Sequence, residues 1–188
     1  MLLITLGSNC QIGDRSPKNI VKSAMLRAIG DITSHSADFG VRSSLWKSAA
    51  FPAGSGPDFV NAAVRLDVTK DPHDVLAALH KIEAEFDRER TVRWGPRTLD
   101  LDLIACDDLI LPNAETVRHW MTLPLEQQKV VSPDRLLLPH PRIQDRAFVL
   151  APLAEIAPEW RHPLLGVSVR EMLEALSAED RAGVVPLP

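Results

Sequence analysis

The sequence predicts an α+β fold, with a ferredoxin-like βαββαβ core in which helices cover one face of an antiparallel sheet. Three observations support this prediction. Several short segments alternate apolar and polar residues, which is typical of half-buried strands. Two longer segments repeat apolar residues at helical spacing, and each begins at a capping residue followed by proline. These segments follow one another in the order of the split βαβ plan.

The first half of the chain accounts for three strands and one helix. Residues 1 to 6 are almost entirely apolar and predict a buried strand. Ser16 and Pro17 predict the start of a helix, because serine caps helix N-termini and proline is tolerated in the first turn. Residues 41 to 47 and 59 to 68 predict two more strands, and the second alternates between a mixed face and an apolar face.

The next part of the chain supplies a second helix and the central strand. Asp71 and Pro72 begin the helix by the same capping logic, and it ends near Arg88. Residues 98 to 105 alternate leucine with aspartate and predict a strand. Residues 109 to 111 predict a short strand that completes an extra hairpin.

The C-terminal part predicts two more helices. Residues 148 to 156 predict a buried helix, and Ser168, followed three residues later by a glutamate, forms a capping box for the last helix. We interpret residues 1 to 188 as one domain, which contains an insertion at 112 to 134 and a loose tail at 178 to 188.

Composition and charge exclude several classes of function. The hydrophobic content of 45% and charged content of 24% are ordinary for a globular protein, and the net charge of −4 offers no basic field for nucleic acid. Cys10 and Cys106 are too few for a disulfide framework and predict free thiols. No signal peptide or membrane-spanning run is recognisable. We therefore expect a cytoplasmic monomer that acts on small molecules, without nucleic-acid or membrane partners.

Two aspartates stand out in the central strand. Asp100 and Asp102 alternate with leucines, so both carboxylates point to the face opposite the core, with Cα atoms about 7 Å apart. Aspartate is depleted in strands, so two aspartates in the middle of one strand suggest a functional role. Paired carboxylates on a rigid face can hold one or two Mg²⁺ ions and leave room for substrate phosphates.

Arginines precede this strand. Guanidinium groups match phosphate oxygens in a bidentate manner, which makes Arg88, Arg90, Arg93 and Arg97 candidates for a polyphosphate site beside the metal. A solvated strand face with salt bridges to a basic helix end is the simpler alternative. Arg88 and Arg90 fit that alternative because cations stabilise a helix C-terminus, whereas Arg93 and Arg97 lie beyond it.

The run Arg-Trp-Gly-Pro-Arg-Thr-Leu-Asp-Leu-Asp-Leu-Ile at residues 93 to 104 resembles the signature of the 6-hydroxymethyl-7,8-dihydropterin pyrophosphokinase family of folate biosynthesis. Further matches to the same family cover nearly the whole chain, except the middle of residues 106 to 138 and the tail. They lie at residues 6–9, 13–14, 58–64, 82–83, 139–142, 146–150 and 152–153.

The resemblance implies a diphosphokinase that transfers the terminal pyrophosphoryl unit of ATP to the pterin hydroxymethyl group, with two Mg²⁺ ions and ATP as co-substrate. By the same resemblance, Asp100 and Asp102 are the metal ligands, and they form the catalytic set together with Arg88 and Arg97. The implied ATP-binding residues are Glu83, Arg88, Arg90, Arg97, Leu103, His140 and Arg146. The implied pterin-binding residues are Ser48, Phe51, Phe59, Asn61, Trp94 and Phe148.

The sequence departs from the family pattern in four places. Residues 48 to 51 read Ser-Ala-Ala-Phe where the family usually has Thr-Pro-Pro and an apolar residue, and the loop that follows is short. Trp46 replaces a usual tyrosine, and Asp87 stands where glycine is common. The segment at 112 to 134 is longer than the usual hairpin by about twenty residues.

Three other interpretations compete with pyrophosphoryl transfer. A glycine-serine turn with a strand Asp-x-Asp also suits a nucleotidyltransferase, which would release pyrophosphate. A non-catalytic RNA-binding module on a similar sheet is disfavoured by the acidic charge balance and the lack of exposed aromatic residues on the central strands. A catalytically impaired ATP-binding paralogue is the third alternative, suggested by the altered loop after Ser48.

Overall fold

The structure is a computed structural model that describes residues 1–33, 40–50, 54, 56–88, 97–128 and 130–188. These residues form helices and strands, and a 3-10 turn lies at Ile143–Asp145. The elements in chain order are β1 (Leu2–Ser8), α1 (Pro17–Ile32), β2 (Gly40–Arg42), β3 (Trp46–Ser48), β4 (Phe59–Leu66), α2 (Pro72–Glu85), β5 (Asp100–Cys106), α3 (Ala114–Thr122), α4 (Leu125–Gln128), α5 (Ala147–Ile156), α6 (Val169–Ala175), α7 (Ala178–Ala182) and β6 (Val184–Pro186).

The strands form one antiparallel sheet in the order β5-β1-β4-β3-β6, and β2 pairs separately with β4. This confirms the predicted α+β class with an antiparallel sheet. The caps of the two long helices also agree with the prediction. The Ser16 hydroxyl accepts a hydrogen bond from the N–H of Asn19, and the Asp71 carboxylate accepts one from the N–H of His73.

One face of the sheet packs on α1 and α2 and holds the main core. Strand alternation explains this face, because every second residue of β1, β4 and β5 is apolar and points the same way. Its fully or nearly fully buried strand residues are Leu2, Ile4, Leu6, Ala62, Val64, Leu66, Leu101 and Leu103.

The opposite face is divided between a second core and an open region. Helices α5 and α6 cover part of it, where Leu3 and Ala63 of the sheet pack with Leu150 and Leu153 of α5. The Arg65 guanidinium on this face donates to the carbonyl of Ile156 at 2.7 Å, which ties β4 to the end of α5. Helices therefore lie on both faces, and the part that α5 leaves uncovered carries the candidate site.

Two local predictions differ from the structure. Leu111 forms only an isolated bridge with Leu138, so the described residues contain no hairpin strand at 109 to 111, and α3 and α4 occupy the insertion instead. The tail at 178 to 188 is not loose, because it forms α7 and the edge strand β6, which pairs with β3. Within the described part of the chain, no helix has both the length and the apolar character to cross a membrane.

Candidate active site

A row of three residues crosses the open sheet face. Asn61 of β4 lies opposite Gly7 of β1, and Gly7 in turn lies opposite Asp100 of β5. Directly opposite residues project from the same face of an antiparallel pair, so the Asn61 amide and the Asp100 carboxylate flank a strand position that carries no side chain. Two strand spacings separate them by about 10 Å. The next row places Asp102 beside Thr5 on the same face.

Two guanidiniums surround the Asp100 carboxylate. The Arg88 Nη2 lies 2.6 Å from one carboxylate oxygen, and the Arg97 Nη1 contacts the other oxygen. Burial alone would raise the pKa of Asp100, but the positive charges of Arg97 and Arg88 outweigh it and lower that pKa below its ordinary value. Asp100 is therefore ionised.

The pKa of Asp102 is shifted in the opposite direction from that of Asp100. Burial and the neighbouring charge of Asp100 raise the pKa of Asp102 to about 6, despite the opposing effect of nearby arginines. Two carboxylates that repel each other on one rigid face form a donor set that suits a divalent cation. Mg²⁺ commonly takes one or two carboxylates and fills its other positions with water and phosphate oxygens, so Asp100 and Asp102 could hold it. Among the described residues, no group of three or more His, Cys, Asp or Glu side chains could hold a metal ion.

The buried Glu83 carboxylate contacts both β5 and Arg88. Its side chain is only 2% exposed, although it lies on α2 beside the apolar stripe. The carboxylate accepts a hydrogen bond from the Leu101 N–H at 2.8 Å and forms an ion pair with Arg88. It thus joins α2 to β5 and directs Arg88 towards Asp100.

The segment after Pro139 places a histidine and an arginine beside the aspartates. The N–H of His140 donates to the carbonyl of Ile104 on β5 at 2.8 Å, which fixes this segment along the strand. Burial, followed by the charge of Arg146, lowers the pKa of His140 to about 3, so its ring is neutral. The Nδ1 atom of His140 accepts from the N–H of Arg142 at 3.2 Å, which leaves the proton of the neutral ring on Nε2.

The other end of the row carries an amide and two aromatic rings. The Asn61 Nδ2 donates to the Ser48 hydroxyl at 3.0 Å, and Asn61 is only 4% exposed, so it is not a solvated surface residue. Phe59 is half-buried at the start of β4, two residues from Asn61 on the same face. Phe148 is half-buried in the first turn of α5, where the Arg146 guanidinium lies 5.6 Å from its ring centre.

The structure thus brings most of the predicted site residues to one region. The acidic pair, Arg88, Arg97, His140 and Arg146 interact with one another through contacts or charge. Leu103 differs in that its side chain belongs to the main core, so only its backbone could contact a ligand. Phe51, Arg90 and Trp94, which were also predicted, lie outside the described residues.

Asn9 connects the loops around the candidate site, although the sequence pattern does not reveal this role. The Asn9 Oδ1 accepts from the Arg97 N–H at 2.8 Å, and the Asn9 N–H donates to the Arg97 carbonyl at 3.1 Å. The Asn9 Nδ2 donates to the Pro57 carbonyl at 3.1 Å, which reaches the loop before β4. The only available signal was an asparagine in a turn directly after a buried strand.

The comparisons with known proteins identify the family of this chain. The profile of the family described as 7,8-dihydro-6-hydroxymethylpterin-pyrophosphokinase (HPPK) matches residues 3–158. A 2-amino-4-hydroxy-6-hydroxymethyldihydropteridine pyrophosphokinase of Synechocystis sp. is 41% identical over 77% of this chain and 63% of its own length. An enzyme of the same name from Bacillus subtilis is 33% identical over 96% of this chain and 86% of its own length.

Solved structures support the fold at lower identity. A Plasmodium falciparum HPPK-DHPS structure with pterin and p-hydroxybenzoate covers 97% of this chain at a TM-score of 0.61 and 14% identity. The chain spans 45% of that protein, as it spans 63% of the Synechocystis relative. At this identity the structural likeness concerns the fold alone, whereas the profile match and the Bacillus relative establish descent. The chain belongs to the 7,8-dihydro-6-hydroxymethylpterin-pyrophosphokinase family.

Proposed function

We propose that this chain transfers pyrophosphate from ATP to 6-hydroxymethyl-7,8-dihydropterin and produces AMP and the pterin pyrophosphate. Membership of the family supports the reaction class. The observation that carries the proposal is the row Asn61–Gly7–Asp100, which sets an amide and a carboxylate on either side of a bare strand position. An amide can pair with the edge of a heterocycle, and a carboxylate can hold a cation on phosphate, so one substrate molecule would extend across the row.

The pterin would bind at the Asn61 end of the row. The Asn61 carboxamide has both donors and an acceptor for the heterocycle edge, and the Ser48 hydroxyl already fixes one of its donors. Phe59 and Phe148 offer aromatic faces of the size that stacks on a flat heterocycle. Phe51 and Trp94 complete the proposed pterin set on the basis of the sequence resemblance.

The ATP triphosphate would bind at the Asp100 end. In the structure Arg88 and Arg97 both contact Asp100, so their charges neutralise a carboxylate that the proposal assigns to Mg²⁺. The triphosphate offers these guanidiniums an alternative anion, with bidentate geometry. Arg90, Arg146 and the neutral His140 would add donors to the phosphates, and Glu83 and the Leu103 backbone would lie towards the nucleoside.

Two Mg²⁺ ions, held by Asp100 and Asp102, would neutralise charge on the phosphates and align them with the pterin hydroxyl. The oxygen of that hydroxyl forms a bond to the β-phosphorus, the bond between the α,β-bridging oxygen and the β-phosphorus breaks, and AMP leaves. The hydroxyl proton passes to solvent. The residues of this chain contribute mainly alignment and charge neutralisation. We propose that the chain acts in this way as a cytoplasmic monomer.

The test is a separation of nucleotides after the purified protein has been mixed with ATP, Mg²⁺ and the pterin. We expect AMP to form only when the pterin is present. Asp102→Asn should lower the rate by at least about a hundredfold, because it removes a metal ligand, whereas the exposed Asp134→Asn should not change it. Free pyrophosphate in the products would identify a nucleotidyltransferase, and ATP binding without turnover would identify an impaired paralogue.

A further inference from the structure

The edge strand β6 contacts the region of the site that would bind the pterin. Val184, its first residue, is buried in a small cluster with Ala147 and Ala151 of α5. Trp46 and Phe148 pack against the same cluster. Val184 therefore belongs to the cluster that packs against Phe148, one of the rings proposed to stack on the substrate, although β6 is outside the residues 3–158 that the family profile matches.

The partner of β6 in the sheet is β3, which three independent contacts hold in place. Val184 lies opposite Ser48, and the N–H of Leu187 donates to the carbonyl of Leu45 at 2.7 Å. On its other edge β3 pairs with β4. The third contact comes from α5, and it is made by a carboxylate.

The Glu155 carboxylate spans two donors at the start of β3. One oxygen accepts from the Ser44 N–H at 2.6 Å, and the other accepts from the Trp46 Nε1 at 2.7 Å. Hydrogen bonds to a charged acceptor are stronger than neutral ones. Helix α5 also carries Phe148, so one rigid element fixes both a proposed stacking ring and the strand that faces it.

The position of β3 determines the position of the Asn61 amide. Trp46 lies opposite Asn61, and Ser48 lies opposite Phe59, so the four side chains share one face. The Ser48 hydroxyl accepts from the Asn61 Nδ2 at 3.0 Å. A displacement of β3 would therefore move the partner that orients the amide.

We infer that the Glu155–Trp46 hydrogen bond and the edge strand β6 are positioning elements for the pterin side of the site. They act through β3, Ser48 and the packing behind Phe148, without touching the reacting atoms. The inference rests on the proposed function and deepens it, because it assigns the pterin affinity of this chain to contacts outside the pterin-binding residues themselves.

The variants that test the inference are Trp46→Phe, which keeps the aromatic ring and removes its N–H, and Val184→Ala, which shortens the buried side chain. The matched control for the first is Trp160→Phe, because the Trp160 Nε1 donates to the carbonyl of Asp107, away from β3. Glu155→Ala removes both acceptor oxygens, and its matched control is Glu159→Ala, since Glu159 pairs with the exposed Arg170.

We expect Trp46→Phe and Glu155→Ala each to raise the KM for the pterin about tenfold, with kcat and the KM for ATP within about twofold of wild type. The double variant should show little more than Glu155→Ala alone, because that change already removes the bond to Trp46. Val184→Ala should also raise the KM for the pterin. Unchanged pterin KM values, or equal rises for both substrates, would overturn the inference.

A second readout separates this inference from the proposed function. If the wild-type protein makes no pterin-dependent AMP, the proposed function fails, and hydrogen exchange of the substrate-free protein then decides the inference. Backbone amides at residues 44 to 48 should exchange faster in Trp46→Phe than in Trp160→Phe. Equal exchange in the two variants would contradict a positioning role for the Glu155–Trp46 bond.

Discussion

Asn9 binds the backbone of Arg97 on both sides, through its Oδ1 at 2.8 Å from the Arg97 N–H and its own N–H at 3.1 Å from the Arg97 carbonyl. This pairing holds the turn after β1 against the start of β5. Because the Asn9 Nδ2 also reaches the Pro57 carbonyl, one buried side chain connects the loops on both sides of the Asn61–Gly7–Asp100 row.

Two substitutions at Asn9 should distinguish the effects of its side-chain contacts with Arg97 and Pro57. Asn9→Asp keeps an acceptor for Arg97 but loses the donor to Pro57, so we expect a higher KM for the pterin with little change in the KM for ATP. Asn9→Ala loses both contacts and should also lower the free energy of unfolding by about 1–3 kcal/mol, because buried polar groups lose their partner. Steady-state kinetics and chemical denaturation measure these effects. Identical kinetic constants for the two variants would contradict separate effects of the Arg97 and Pro57 contacts.

Glu83→Gln should destabilise the protein and weaken ATP binding. The glutamine can still accept from the Leu101 N–H, but it removes one of the two carboxylates that contact Arg88. Loss of a buried contact between charged groups costs about 1.5–3 kcal/mol. The control is Glu85→Gln, whose exposed pair with Arg27 is screened by solvent and contributes little to stability. Urea denaturation of both variants should give clearly different midpoints, and equal midpoints would refute the organising role of Glu83.

Asp87 occupies a backbone conformation that favours glycine. Its φ of 53° follows the end of α2, where a left-handed residue commonly terminates a helix. Asp87→Gly should therefore raise the free energy of unfolding by about 1 kcal/mol without changing kcat, while Asp87→Ala should lower it. Thermal denaturation of the two variants tests this, and a destabilised glycine variant would contradict it.

The pKa of Asp102 predicts how stability depends on pH in the absence of metal. Since the pKa rises from 3.8 to about 6 in the folded protein, the folded state keeps a proton that the unfolded chain has already released. The stabilisation due to this group is therefore fully present below about pH 3.8 and is lost as the pH rises through about 6. At about pH 8, Asp102→Asn should be more stable than wild type by on the order of 1 kcal/mol.

That difference should disappear at about pH 4, where the wild-type carboxyl is protonated in the folded state. The matched control is Asp108→Asn, in the exposed turn after β5, measured under the same conditions. A stabilisation of Asp102→Asn that does not change with pH would exclude electrostatic repulsion as its cause.

Gly7→Val should block the substrate without preventing folding. A Cβ at this position would lie 3.4 Å from the Asn61 Oδ1 and 3.6 Å from the Phe59 ring, which are ordinary contact distances. The valine side chain would nevertheless occupy the strand position between the two ends of the proposed site. We expect turnover to fall at least about a hundredfold with circular dichroism unchanged. Near-normal turnover would show that the substrate does not cross this position.

Local pattern was sufficient to predict the sheet face that carries the site. The alternation around Asp100 and Asp102 and the alternation of β4 both follow from the period of two, and the observed register confirms which residues face the main core. The helix starts at Ser16 and Asp71 were predictable because capping is local chemistry.

Features that depend on distant partners could not be predicted in the same way. Strand β6 has three residues and exists only because β3 pairs with it, so the sequence alone favoured a loose tail. Glu83 lies next to Ile82 on a helix, and nothing local reveals that its carboxylate reaches the N–H of Leu101. Asn61 is likewise buried because Ser48 approaches from the neighbouring strand.

The most direct test of the central claim follows the β-phosphorus of ATP. The purified protein is incubated with Mg²⁺, the pterin and ATP labelled at the β-phosphate, and the labelled products are separated. We predict that the label moves to the pterin, that unlabelled AMP appears in equal amount, and that Gly7→Val and Asp102→Asn abolish the transfer. Label that remains in ADP, or that is released as free pyrophosphate, would contradict pyrophosphoryl transfer across the Asn61–Gly7–Asp100 row.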